Sequence, residues 1–179
     1  MQGNVSVLAP LRALAPELDT FAMVPAPALV RLHQDPEEPG PHVSGSALVD
    51  ALHEAAIDAL MDVAGPDSGS ALEIVELRQC GGALGRRLPG HGARAGIEGQ
   101  FVLFTAGLVF DPELGALKRA HIERVRAALA PFCGAGQYLN FAEERVDTSL
   151  SFDADTWARL VAVKARLDPE NVLHANHAI

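Results

Sequence analysis

The sequence predicts an α+β domain with a mostly antiparallel sheet and helices packed on one face. Strand-like segments dominate the first half, and helices flank strands in the second half. The strands do not alternate with helices regularly enough for a doubly wound parallel sheet. Only two or three strands accompany long helices, so the sheet that the sequence encodes looks incomplete.

The first 51 residues predict short elements separated by loops. Residues 8–14 are a short helical candidate, 19–24 a strand candidate and 26–33 a short helix or turn. Residues 34–46 contain three prolines and two glycines, which predicts a loop. Residues 47–51 form a possible strand that leads into the next helix.

The middle of the chain carries the clearest sheet signals. Apolar residues recur at helical spacing over 52–64, before a Gly-Pro pair. Residues 71–79 are rich in Ile, Val and Leu and predict a strand. Residues 81–99 are Gly-rich and irregular. Residues 101–110 are apolar on both faces, which predicts a central strand.

A long helix follows this strand. Asp111 suits the N-cap, Pro112 the first helical position and Glu113 the positive end of the helix dipole. Gly134 and Gly136 are predicted to end the helix. Its apolar stripe is predicted to contain Leu114, Leu117, His121, Val125, Ala128, Leu129 and Phe132.

The C-terminal region predicts a strand over 136–141 and a helix over 153–167. Asp168 precedes a proline and is therefore biased out of the helical region. The tail 171–179 carries two Asn and two His among apolar residues, unlike the polar ends of most domains. This composition indicates a segment that docks against another surface.

Composition narrows the function classes. The chain has 179 residues, 49% of them hydrophobic, and a net charge of −9. This charge argues against nucleic acid and anionic membrane surfaces, where Lys and Arg supply the affinity. Cys80 and Cys133 read as two buried thiols rather than a disulfide framework. With no evident signal peptide and no run that could span a bilayer, we expect a cytoplasmic protein.

The C-terminal residues form an ordered set of motifs. Along the chain these are Tyr138, Asn140, Leu160, Val161, Lys164, Asp168, Pro169, Asn171, Asn176 and Ile179. This order resembles the FAD-linked oxidases of the berberine-bridge-enzyme-like group, within the vanillyl-alcohol-oxidase-type flavoproteins. The family pattern is Tyr-x-Asn-Tyr, a loop, a helix with Leu-Val-x-x-Lys, then Asp-Pro-x-Asn-x-Phe and a terminal Asn-Gln-Ser-Ile. A weaker resemblance to the substrate-binding domain reaches back to about residue 8.

The resemblance implies two regions, a partial substrate-binding domain over 1–137 and a berberine-bridge-enzyme-like segment over 138–179. No stretch of the sequence resembles the Gly-rich loops that hold the FAD pyrophosphate in the family. The expected activity is hydride transfer from an alcohol, amine or sugar to FAD. The alternatives are a truncated protein or partner subunit that needs an FAD domain in trans, and a self-associating small-molecule-binding domain.

The site residues follow partly from this resemblance, which implies flavin contacts for Tyr138, Asn140 and Asn176. Phe141 occupies the position of a family Tyr that serves as a base, and phenylalanine has no proton to exchange, so the catalytic base is unknown. Glu76 and Arg78 lie two apart on one strand and are candidate substrate-binding residues, or else a solvated pair.

The histidines predict no metal centre. His174 and His177 are three apart, but no Cys, Asp or Glu nearby completes a metal site. His121 lies on an apolar helix stripe, which is more typical of a hydrogen-bonded core histidine.

Overall fold

A computed structural model describes residues 5–32 and 38–179. The chain forms two compact units, Met1–Pro39 and Gly40–Ile179. Within the described part of the first unit, 3-10 turns at Val5–Leu8 and Ala26–Arg31 accompany one short helix, α1 (Ala9–Arg12).

The predicted strand over 19–24 is wrong. Arg12 Nε lies 2.6 Å from Asp19 Oδ2, and its Nη2 donates to the carbonyl of Phe21. The other carboxylate oxygen of Asp19 accepts the Phe21 backbone N–H at 3.0 Å. The backbone N–H and C=O of Phe21 are thus bound by side chains and are not available to pair with a neighbouring strand, so this segment folds as an irregular loop.

The second unit is built on an antiparallel sheet of β1 (His42–Val49), β2 (Ile74–Gln79) and β3 (Phe101–Leu108). The strand order is β1-β3-β2, so β3 is central, as its apolar faces predict. The helices are α2 (Glu54–Ala64), α3 (Pro112–Leu129) and α4 (Ala154–Leu167). The α+β class with an antiparallel sheet is confirmed.

The predicted loop over 34–46 is wrong from residue 42 onward, because strand β1 occupies that part. Residues 34–37 of the predicted loop and residue 33 of the predicted 26–33 turn lie outside the described residues. β1 begins at His42 and contains Gly45 in its interior. A Cβ at Gly45 would lie 2.4 Å from Ile122 Cγ2. The glycine therefore marks the close approach of α3 to the strand and not a break in regular structure.

Helix α3 begins as predicted. Asp111 Oδ1 accepts the backbone N–H of Leu114 at 2.7 Å, and Pro112 is the first helical residue. The buried stripe differs from the prediction, because Leu117 is exposed and Lys118 is buried. Apolar periodicity does not predict a buried lysine, because the burial of Lys118 depends on an acidic partner on another segment, Glu73.

The main core lies between one face of the sheet and helices α2 and α3. Its fully buried members are Val49, Ala56, Leu103, Val125 and Leu129. Burying each of the Val and Leu side chains stabilises the fold by roughly 1.5–3 kcal/mol. The opposite face carries a smaller cluster of Leu48, Cys80 and Val102, packed against Tyr138 and Phe141.

The predicted strand over 136–141 is wrong. The chain forms a 3-10 turn at Leu139–Phe141 instead. Ser46 Oγ donates to the carbonyl of Phe141, and Arg94 Nη1 donates to the carbonyl of Gln137. With these carbonyls bound by side chains, and Cys133 bridged to Val49 at the nearby sheet edge, the segment adds no strand.

Helix α4 forms as predicted, with Asp153 Oδ1 accepting the Thr156 N–H at 2.8 Å. None of its residues is fully buried, and Val161 and Leu167 are exposed. Asp168 leaves the helical region at φ −143°, as its place before proline predicts. No helix in residues 5–32 and 38–179 is long and apolar enough to cross a membrane.

Candidate functional site

The candidate site lies on the sheet face opposite α2 and α3. Side chains alternate along a strand, so Val75 and Leu77 of β2 pack into the main core while Glu76 and Arg78 point to the other face. Glu76 is paired in register with Phe104 of β3. The two predicted substrate-binding residues therefore share one half-exposed face, beside an aromatic ring.

Arg78 contacts both a carboxylate and aromatic rings on this face. Its Nε lies 2.8 Å from Glu76 Oε1, with both side chains about 40% exposed (40% and 38%). The contact is an ion pair without hydrogen-bond alignment, since that buried nitrogen has no hydrogen-bond partner in the described chain. The guanidinium also lies over Phe141, 4.9 Å from the ring centroid, and 6.0 Å from Phe104.

Three aromatic rings form the wall beside Arg78. Phe141 contacts Phe104 at a centroid distance of 4.8 Å and Tyr138 edge-on at 5.1 Å. Both Tyr138 and Phe141 also pack against the buried cluster of Leu48, Cys80 and Val102. Tyr138 therefore packs partly as a core residue, as the apolar body of a tyrosine allows.

Polar contacts hold residues 137–143 on the edge of β1. Glu143 accepts the Ser44 backbone N–H at 3.1 Å and lies 2.7 Å from His42 Nε2. Arg94 joins the carbonyls of Gln137 and Ser151 at 2.7 and 2.9 Å. Partial burial lowers the pKa of the Arg94 guanidinium without neutralising it. These contacts fix the aromatic wall relative to the sheet.

Asn140 lies between Tyr138 and Phe141 in the 3-10 turn and is exposed. Its amide has no hydrogen-bond partner in the part of the chain that the structure describes, so it does not cap the turn. An exposed amide can both donate and accept, as the polar edge of a flavin requires.

A group of hydrogen bonds between Lys164, Asp168 and the backbone of residues 172–173, which we call the clasp, fixes the direction of the tail after α4. Lys164 Nζ binds Asp168 Oδ2 at 2.5 Å and the carbonyl of Leu173 at 2.9 Å. Asp168 accepts the backbone N–H groups of Val172 and Leu173 at 2.7 and 3.1 Å. The hydrogen bond from Lys164 lowers the pKa of Asp168. Asn171, at φ +51°, makes the reversal in the left-handed region that Asn tolerates.

Asn176 lies elsewhere, in a cavity of about 720 Å³ between α4 and the tail. His174, His177 and Trp157 also line it, and the buried His177 Nδ1 has no hydrogen-bond partner among the described residues. The structure groups Tyr138, Glu76 and Arg78, with Asn140 adjacent in sequence, but it does not bring Asn176 among them. Among the described residues no group of three or more His, Cys, Asp or Glu could hold a metal.

Two buried groups have structural partners. His121 accepts the Ala71 N–H at Nδ1, and its Nε2 lies 2.9 Å from the carbonyl of Val63, which makes it the hydrogen-bonded core histidine that its stripe predicts. Lys118 pairs with Glu73, a link that sequence reasoning missed because the partners are 45 residues apart.

Cys80 and Cys133 are both free thiols, and Cys80 is buried.

A comparison of the sequence with family models finds a match for the region that contains the turn, the clasp and the tail. Residues 137–179 match the "Berberine and berberine like" family model. The resemblance of the C-terminal region is thereby confirmed, and we call residues 137–179 the berberine-like segment. It contains two rings of the aromatic wall, Tyr138 and Phe141, together with Asn140, α4, the clasp and the residues that line the tail cavity.

Solved structures extend the likeness to most of the fold. Physcomitrella patens BBE-like 1 matches over 80% of this chain at a TM-score of 0.64 and 19% sequence identity. An Asp-to-Asn variant of that protein matches equally well. This chain spans 31% of the length of the Physcomitrella protein. No curated protein matches it by sequence.

Proposed function

We propose that this chain is the substrate side of an FAD-dependent oxidoreductase, which transfers a hydride from a small alcohol, amine or sugar to the flavin. The observation that carries the proposal is the half-exposed sheet face, where Glu76 and Arg78 adjoin the aromatic wall that β3 and the berberine-like segment form together. A planar substrate body fits against Phe104 and Phe141, while the ion pair binds its polar groups.

The residues present fit one part of a flavin. Asn140 presents a free amide, and Tyr138 presents a ring and a phenol beside it, which suit the polar edge of an isoalloxazine. The flavin would supply the hydride acceptor. The sequence offers no Gly-rich pyrophosphate loop, so we place the FAD-binding domain outside these 179 residues.

The chain's own groups orient the substrate. Phe141 has no exchangeable proton, so it contributes a ring face instead of a base. Glu76 accepts a hydrogen bond from the substrate hydroxyl or amine, and Arg78 donates to a substrate oxygen. The hydrophobic cluster below them, with Cys80 and Val102 buried, excludes water from one side of the site.

A flavin titration tests this placement. Purified chain is titrated into riboflavin and into FAD, and fluorescence quenching and the visible absorption bands are recorded. Because this chain contacts the isoalloxazine alone, both flavins should bind with equal, weak affinity, and Asn140→Ala should weaken both. A strong preference for FAD would contradict the placement of the pyrophosphate site elsewhere. Absence of any quenching would remove the chain as an independent flavin binder.

A second candidate is a partner subunit or self-associating domain without activity alone. The observation that favours it is strand β2, which pairs with β3 on one side and has no strand on its outer side among the described residues. The outward-facing backbone N–H and C=O groups of such an edge strand can pair with a strand of another chain. Size exclusion at two protein concentrations tests self-association, and a concentration-independent monomer would leave only a different chain as the partner.

A further inference from the structure

We propose that Arg78 is a carboxylate-binding residue and that the substrate is a small organic acid with an apolar body. This inference rests on the proposed function, since it names the chemical class of ligand for the same sheet face. It assigns the carboxylate to Arg78, a hydrogen-bonding hydroxyl or amine of the substrate to Glu76, and the apolar body to the rings of Phe104 and Phe141.

The first argument is the unused donor capacity of Arg78. Two arginines of the described chain are partly buried, Arg78 and Arg94, and Arg94 donates hydrogen bonds to the carbonyls of Gln137 and Ser151. Arg78 donates none in the described chain, because its closest contact with Glu76 is an unaligned ion pair at Nε. Its terminal nitrogens therefore remain available on a side chain that is 40% exposed.

The second argument is preorganisation. The guanidinium carbon lies 4.9 Å from the centroid of the Phe141 ring and 6.0 Å from that of Phe104, so less rotamer entropy is lost when Arg78 binds an anion. A planar guanidinium presents two parallel N–H donors at the spacing of the two oxygens of a carboxylate. A neutral alcohol has one oxygen and no negative charge, so it cannot match both donors in this way.

The third argument concerns Glu76. A carboxylate ligand must compete with Glu76 for Arg78, which favours a ligand that also gives Glu76 a hydrogen bond. A hydroxyl or ammonium one carbon away from the carboxylate meets this need, since Glu76 and Arg78 are two apart on the same strand face. A plain carboxylate or a plain alcohol satisfies only one of the two groups.

Side-chain NMR of the ¹⁵N-labelled chain tests the inference without flavin. Mandelate is the probe, with methyl mandelate, benzyl alcohol and inorganic phosphate as comparison ligands. We expect mandelate to shift the Arg78 Nε–H signal and to bind about tenfold or more tightly than its methyl ester, the usual gain from a charge-assisted pair. Equal binding of mandelate and its ester would overturn the carboxylate assignment. Tighter binding of phosphate than mandelate would assign the site to a phosphate group and also overturn it.

Variants of the ion pair separate binding from folding. Arg78→Gln should weaken mandelate at least about tenfold, whereas Arg87→Gln, at another half-exposed arginine paired with a carboxylate, should leave the affinity unchanged. Glu76→Gln should tighten plain benzoate several-fold, because it removes the competing charge, so this variant tests the site even if Arg78→Gln fails to fold. Unchanged benzoate binding in Glu76→Gln would contradict the inference.

The outcomes are distinguishable from those of the flavin titration. Mandelate binding without riboflavin binding supports the anion site and counts against flavin contact by this chain. Riboflavin binding with a preference for benzyl alcohol over mandelate leaves the proposed oxidoreductase standing and overturns the organic-acid substrate.

Discussion

The guanidinium of Arg78 lies 4.9 Å from the centroid of the Phe141 ring, which joins strand β2 to the berberine-like segment. The two residues are far apart in sequence, and the contact crosses the boundary that the sequence predicts between a substrate-binding region and a C-terminal segment. The ring also packs on Phe104, so it supports the sheet face as well as the arginine. Phenylalanine at this position thus has a structural use where a tyrosine base would sit in the family pattern.

Replacing Phe141 with leucine should loosen Arg78. Loss of the cation–π contact and of the ring contacts with Phe104 and Tyr138 should lower the free energy of unfolding by about 1–2 kcal/mol. Chemical denaturation measures this loss. Phe110→Leu is the matched control, because Phe110 is 75% exposed and should change stability by less than about 0.5 kcal/mol. Equal effects of the two variants would contradict the proposed packing role of Phe141.

Glu143 should be needed to seat the aromatic wall. Glu143→Ala removes the acceptor of the Ser44 N–H and the partner of His42, at a cost of about 1 kcal/mol. Hydrogen exchange should show faster exchange at residues 138–142, with the centre of β3 unchanged. Glu144→Ala, at the exposed neighbouring position, provides the control. Loss of protection throughout β3 would instead indicate global destabilisation.

The buried ammonium of Lys118 should depend on Glu73. Lys118 is 3% exposed, and its stem packs where a Cβ at Gly107 would come within 2.5 Å of Cδ. Glu73→Gln should cost about 1–2 kcal/mol, less than a fully buried pair because Glu73 itself is half exposed. Lys118→Met keeps the stem and removes the charge, so it should be near neutral. A larger loss for Lys118→Met than for Glu73→Gln would contradict this account.

The pH dependence of that pair has a definite sign. Burial tends to raise the pKa of Glu73, but the hydrogen bond from Lys118 and backbone donors lower it overall. A carboxyl with a lowered pKa contributes stability that is present above its unfolded pKa and is lost as pH falls through its folded pKa. Glu73→Gln should therefore remove part of the acid sensitivity of unfolding below about pH 4.

The apolar run over 101–110 predicted the central strand β3, and Asp111 and the Asp168-Pro169 pair predicted the start of α3 and the end of α4, because these features depend on neighbouring residues. Asp111 caps α3 as the sequence indicates, and Asp153 caps α4 in the structure. The errors arose where distant partners decide the structure. Arg12 turns the predicted strand over 19–24 into a loop, Ile122 requires Gly45 inside a strand, and Glu73 buries Lys118.

The candidate site shows the same division. Alternation along β2 places Glu76 and Arg78 on one face, so their pairing was accessible from the sequence. The stacking of Arg78 on Phe141 was not, since it depends on how the 3-10 turn docks on β1. Asn176 was grouped with Tyr138 by its place in a motif, yet the clasp directs the tail to a cavity beside α4.

The clasp at the end of α4 yields the last prediction. Asp168→Asn removes the ion pair with Lys164 and replaces one of the two oxygens that accept the tail's N–H groups with an NH2 donor. Val172 and Leu173 should therefore lose amide protection, while α4 keeps its own. Glu170→Gln, an acid-to-amide change two residues away, is the control. The lowered pKa of Asp168 gives the sign with pH: protection of the two amides should be constant from pH 7 to about 5 and fall below about pH 4, as the carboxylate is protonated. In Asp168→Asn that fall should be absent. If the two amides are as protected in this variant as in the unmodified chain, Asp168 does not direct the tail.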